Sequence, residues 1–95
     1  MKQKIVCIDY DGTYTEFPEL LDLIIFYCKS HHVKVILCTM RHKHEIDSHL
    51  ESVIEKVDET YFTDRNAKIP YLNNLGIFPD IFIDDNPKWL ISNAC

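Results

Sequence analysis

Two pairs of aspartates carry the chemistry that this 95-residue sequence can perform. Asp9 and Asp11 close the apolar run Ile5-Val-Cys-Ile8 within the string Asp9-Tyr-Asp-Gly-Thr13, and Asp84 and Asp85 close Ile81-Phe-Ile83. Thr39 ends a third run, Val35-Ile-Leu-Cys38. If these runs are parallel strands, their polar ends share one edge, the edge where open α/β sheets bind ligands. Carboxylates gathered there repel one another. A hard cation relieves that repulsion, and an oxygen-only donor set favours Mg2+ over zinc. A lone D-x-D-G is an ordinary turn, but an ordinary turn does not explain a second acidic pair after another apolar run.

The elements that must position these groups follow from periodicity. Residues 5–8 read as a buried strand that turns at Gly12. Pro18 suits a first helical position, and Leu20, Leu21, Ile24, Ile25 and Cys28 recur at helical spacing to about Ser30. Residues 33–38 form a second strand. Residues 43–57 predict a helix with Ile46, Leu50, Val53, Ile54 and Val57 on one face. Residues 60–63 form a third strand, and 66–75 a helix stopped by Gly76 as a left-handed cap. Residues 80–83 form the fourth strand. Asn86-Pro87 starts a last helix, with Trp89 in the core. Strands alternating with helices imply an α/β fold: a three-layer, Rossmann-like parallel sheet of about four strands with helices on both faces and right-handed crossovers. Residues 1–95 read as one domain.

Composition narrows the function classes. Apolar residues make up 46% of the chain, enough for a packed core, and the net charge of −5 disfavours strong non-specific binding to nucleic acid or anionic membranes. The longest apolar run, Leu23 to Cys28, is too short to span a bilayer. The start, Met1-Lys-Gln-Lys-Ile, lacks the pattern of a secretion signal, so a cytoplasmic location is expected. Cys7, Cys28, Cys38 and Cys95 show no C-x-x-C spacing, and reduced thiols are expected rather than zinc or a redox dithiol.

These motifs together resemble the haloacid dehalogenase-like superfamily. Asp9-Tyr-Asp-Gly-Thr13 is similar to its first motif and Thr39 to its second. Lys68, sixteen residues before Asp84, is similar to its third, and Ile81-Phe-Ile-Asp-Asp85 to its fourth. Response-regulator receivers use similar residue types, but with the acidic pair first. The resemblance implies strand order 4-1-2-3 and a Mg2+-dependent phosphatase. Asp9 is then the nucleophile, Asp11 the general acid and base, and Thr39 and Lys68 the holders of the transferring oxygens. The metal falls to Asp9, the Asp11 main-chain carbonyl, Asp84 and Asp85. Keeping Asp11 also argues against dehalogenation.

The sequence leaves little room for a cap domain, only residues 12–18 and 63–66. An open site is expected, as in the 3′-phosphatase domains of polynucleotide kinases, with a nucleotide or nucleic-acid end among the candidate phosphomonoesters. Met40 stands where many members carry a small residue and narrows the entrance; Arg41, which follows it, offers an anion contact, with the solvated, charged start of the second helix as the competing role. Tyr14 and Phe17 lie in the flap, where Tyr14 is assigned to the substrate; packing of the loop is the competing role. His42 and His44 have no third ligand nearby and are not read as metal ligands, and His31-His32 reads as the cap at the end of the first helix. A homodimer is expected, because the site is open and a short sheet leaves an unpaired edge. The alternative is a non-catalytic module that sequesters a phosphorylated ligand or partner.

Overall fold

The computed structural model describes residues 2–94. Cys95, and the Met1 that begins the supposed leader-free start, lie outside the described residues. Short β-branched runs form four parallel strands: β1 (Ile5–Ile8), β2 (Lys34–Thr39), β3 (Glu59–Phe62) and β4 (Ile81–Ile83). Their order is β3-β2-β1-β4, which counted from the β4 edge is 4-1-2-3. The register places Ile8 beside Leu37 on one side and Ile83 on the other, with Thr39 beside Phe62. Every strand therefore ends near one line.

Two aspartates fix that register at the opposite edge. Asp80 accepts from the Ile5 amide at 2.9 Å and returns its own N–H to the Ile5 carbonyl at 2.8 Å. Asp58 does the same for Val35, at 2.8 and 2.9 Å. Each carboxylate satisfies a strand-end donor that would otherwise lack a partner.

Alternation along the strands feeds two cores. Val6, Ile8, Val35 and Leu37 pack against Leu21, Ile25 and Cys28 of α1 (Pro18–Ser30) and Leu50 and Val53 of α2 (Ser48–Ile54). Cys7, Ile36 and Cys38 face the other way, toward Leu72 of α3 (Lys68–Asn74), against which α4 (Lys88–Ile91) packs. Helices thus cover both faces of the sheet. Cys7, Cys28 and Cys38 are buried free thiols. Among the described residues no helix is long and apolar enough to cross a membrane.

The helix expected over residues 43–57 is broken. A 3-10 turn at Lys43–Glu45 is separated from α2 by Ile46, which is extended and 40% exposed. Local polar groups win over periodicity here. Glu45 turns back onto the His42 amide at 2.7 Å, and Asp47 accepts from the Leu50 amide at 2.8 Å, so a new helix starts at an aspartate cap. At the end of α1, His31 is the cap residue and His32 takes the left-handed conformation, φ 58°. Gly76 does so after α3, with φ 79°.

Candidate functional site

The loop after β1 turns sharply. Asp11 (φ −68°, ψ 124°) and Gly12 (φ 81°, ψ −14°) have the dihedrals of a type II turn. Glycine is required twice over, since a Cβ at Gly12 would stand 2.5 Å from the Asp85 carboxylate. This close approach lets the β1 loop and the β4 loop share a wall.

Across that wall three carboxylates meet. Oxygens of Asp9, Asp84 and Asp85 lie within 4.8 Å of one another. Lys68, at the first turn of α3 and only 2% exposed, donates to Asp9 Oδ1 and Asp84 Oδ2, both at 2.7 Å. Thr13 donates to Asp9 Oδ2 at 2.9 Å and to Asp85 Oδ1 at 3.2 Å, and the Asp85 amide donates to its hydroxyl at 3.0 Å. Burial pushes the Asp9 carboxyl up to about 6, against the downward pull of the Lys68 ammonium. Burial also opposes the charge on Lys68, but Asp9 and Asp84 outweigh it and hold the ammonium above its ordinary range.

Asp11 points elsewhere. Both of its oxygens accept from Arg41, from Nε at 2.9 Å and from Nη2 at 2.8 Å. Arg41 Nη1 donates to the Glu45 carbonyl at 2.8 Å and to Asp47 at 3.4 Å, and the guanidinium lies over the Tyr10 ring at 5.1 Å. All three guanidinium nitrogens of Arg41 are thus engaged with protein groups. The metal contact expected of Asp11 runs through its main-chain carbonyl, on which the carboxylate's direction has no bearing.

A cleft of about 300 Å³ opens over the cluster, lined by Asp9, Asp11, Thr39, Lys68 and Asp85 together with Met40 and Arg65. Thr39 is buried at the end of β2, and its hydroxyl accepts from the Arg41 amide at 3.2 Å. The structure thus brings together Asp9, Thr39, Lys68, Asp84 and Asp85, and puts Met40 on the rim.

Tyr14 must be corrected. It is 1% exposed, its ring is in the α1–α2 core, and its hydroxyl donates to Asp22 at 2.6 Å and accepts from Lys56 at 2.9 Å. No surface remains for a substrate. Trp89 is also displaced from its expected place: it is half-buried and forms part of the cleft wall rather than the core. His42 pairs with Asp64 at 2.9 Å and stacks on His44.

Two residues were missed in the sequence. Thr13 bridges the two acidic pairs, and its place inside the first motif was the available signal. Arg65 follows β3 as the other polar groups follow their strands. It takes φ 68° and donates to the Met40 carbonyl and Glu45, both at 2.9 Å. Its loop is held from the far end of the chain, where the Ala94 amide donates to the Arg65 carbonyl at 2.7 Å and the Asn93 side chain accepts from the Ala67 amide at 2.7 Å.

No family model, curated protein or solved structure matches the chain.

Proposed function

We propose that the protein hydrolyses phosphomonoesters through a phosphorylated Asp9 in a Mg2+-dependent reaction. The observation that supports this reading best is the buried Lys68 ammonium between Asp9 and Asp84, with Asp85 alongside. Three carboxylates against one ammonium leave a net negative charge, and the donors are all oxygen. That set fits a hard divalent cation held by Asp9, Asp84 and Asp85. When bound, Mg2+ supplies charge screening between the carboxylates and an incoming phosphate.

The remaining roles belong to the chain. Thr13 holds Asp9 Oδ2 and Lys68 holds Oδ1, which orients the carboxylate for in-line attack. An Asp9 oxygen forms the bond to phosphorus as the ester oxygen leaves, and Asp11 supplies the proton to that oxygen. Water then attacks phosphorus, passes a proton to Asp11, and the Asp9–phosphate bond breaks. Thr39 and Lys68 stand at the cleft floor to bind the equatorial oxygens. Asp11 must first leave Arg41, since both of its oxygens are engaged there.

That engagement is also the one observation favouring a second reading, a module that sequesters phosphorylated ligands without turnover. A phosphatase screen over nucleotides, sugar phosphates, aryl phosphates and phosphorylated DNA ends decides between them. Turnover that stops with a chelator and in Asp9→Asn supports the enzyme. Tight binding of phosphorylated ligands without turnover supports the module.

A further inference from the structure

We propose that Trp89, with Met40 and Arg65, forms the leaving-group subsite of the cleft, and that the substrate is a phosphomonoester carrying a planar aromatic ring near its phosphate. The inference rests on the phosphatase reading for the position of the phosphate. Burial divides the cleft by depth. Asp9, Thr39 and Lys68 are buried at its floor, whereas Met40, Arg65 and Trp89 are half-buried at its mouth. In-line displacement puts the leaving oxygen on the far side of phosphorus from Asp9, so the leaving group points from floor to mouth. The cleft volume of about 300 Å³ exceeds what a phosphate alone fills and lies at the small end for ligand pockets. That leaves room beside the phosphate for a small flat group.

The three mouth residues are of the types that hold flat π surfaces. Tryptophan brings a large ring, methionine a polarizable thioether, and arginine a planar guanidinium that stacks. The Arg65 guanidinium is already fixed, by bonds to the Met40 carbonyl and to Glu45, both at 2.9 Å. Glu45 neutralises it, so Arg65 offers its plane rather than an unpaired charge. Trp89 stacks on no other ring among the described residues. The Lys88 ammonium lies over it at 5.0 Å, on a flexible stem that a ligand can displace. The segment bearing Trp89 is also tied to the loop bearing Arg65. The Ala94 amide donates to the Arg65 carbonyl, and the Asn93 side chain accepts from the Ala67 amide, both at 2.7 Å. Two hydrogen bonds just after α4 thus set the gap between the tryptophan and the guanidinium before any ligand arrives.

Trp89 is the only tryptophan in the chain, so intrinsic fluorescence reports on it alone. Adenosine monophosphate or phenyl phosphate, added with Mg2+ to the wild-type protein, should change that fluorescence, and ribose 5-phosphate should change it far less. Adenosine monophosphate and ribose 5-phosphate share a leaving oxygen. Their kcat/KM ratio should fall about five- to a hundredfold in Trp89→Leu and largely recover in Trp89→Phe. Circular dichroism checks that both variants fold, and the wild-type comparison stands even where Trp89→Leu does not. Calorimetry of phenyl against cyclohexyl phosphate in Asp9→Asn, with and without Trp89→Leu, makes the same comparison without turnover. Whichever pair loses more with Trp89→Leu, nucleotide or aryl, identifies the source of the ring. Ring-selective binding with no turnover of any ester supports the subsite and overturns the phosphatase. Turnover indifferent to the ring, or a Trp89→Leu loss equal for both members of each pair, overturns the subsite and leaves the phosphatase standing. Failure of every phosphate ester to bind overturns both.

Discussion

At the scale of single residues, the two aspartates of the first loop are separable. Asp9→Asn should abolish turnover, which a burst assay with an aryl phosphate would show directly. Asp11→Asn should cost roughly 10²–10⁴-fold on alkyl phosphates and much less on aryl phosphates, whose leaving groups need little protonation. Arg41→Gln removes the fork that holds Asp11. Because Asp11 must leave that fork before it can act, the alkyl-to-aryl rate ratio should hold or rise in this variant; a fall like that of Asp11→Asn would show that Arg41 positions Asp11 for proton transfer. Gly12→Ala should destabilise the fold by more than about 1–2 kcal/mol in urea titrations, because φ of 81° is strained for alanine and the new Cβ meets Asp85. The acidic positions were legible because charge at the end of an apolar run is unusual. Tyr14 was not, since its partners Asp22 and Lys56 come from α1 and from beyond α2, and only folding reveals that they surround its hydroxyl.

At the scale of elements, strands were easier to read than helices. The apolar run of β1 has one plausible conformation, whereas residues 43–57 carry both a helical apolar period and polar groups able to cap a break. Asp47 decides that contest through its bond to the Leu50 amide, so Asp47→Ala should cost about 1 kcal/mol in thermal melts. Asp80 offers a pH-dependent case. Its bond from the Ile5 amide, followed by the Lys4 ammonium, holds its carboxyl below the usual range. A carboxyl with a lowered folded-state pKa stabilises the fold above its unfolded value. That contribution disappears as pH falls through the folded one. Wild-type melting temperature should therefore drop across the acidic range more steeply than that of Asp80→Asn, as a pH series of melts would record.

At the scale of the whole molecule, a divalent cation held by Asp9, Asp84 and Asp85 would make stability depend on ions. Mg2+ at a hundredfold excess over its dissociation constant should add about 2.7 kcal/mol, read as a higher melting temperature, and Asp84→Asn should remove most of that gain. The overall architecture was legible because four strands and four helices alternate in order among the described residues; the exposure of Leu23, Phe26 and Tyr27 on the outer face of α1 was not, because an apolar run does not say which of its positions the sheet covers. One feature of the site also bears on how the chain reaches its native state. The contacts that build it join distant parts of the sequence: Lys68 to Asp9 spans 59 positions, and Thr13 to Asp85 spans 72. Contacts of that separation are late rewards on a folding pathway, after loop closure has been achieved. Ligands of this site should then leave the refolding rate nearly unchanged and act almost wholly by slowing unfolding, which stopped-flow traces with and without Mg2+ would resolve as a shift in one arm of the chevron.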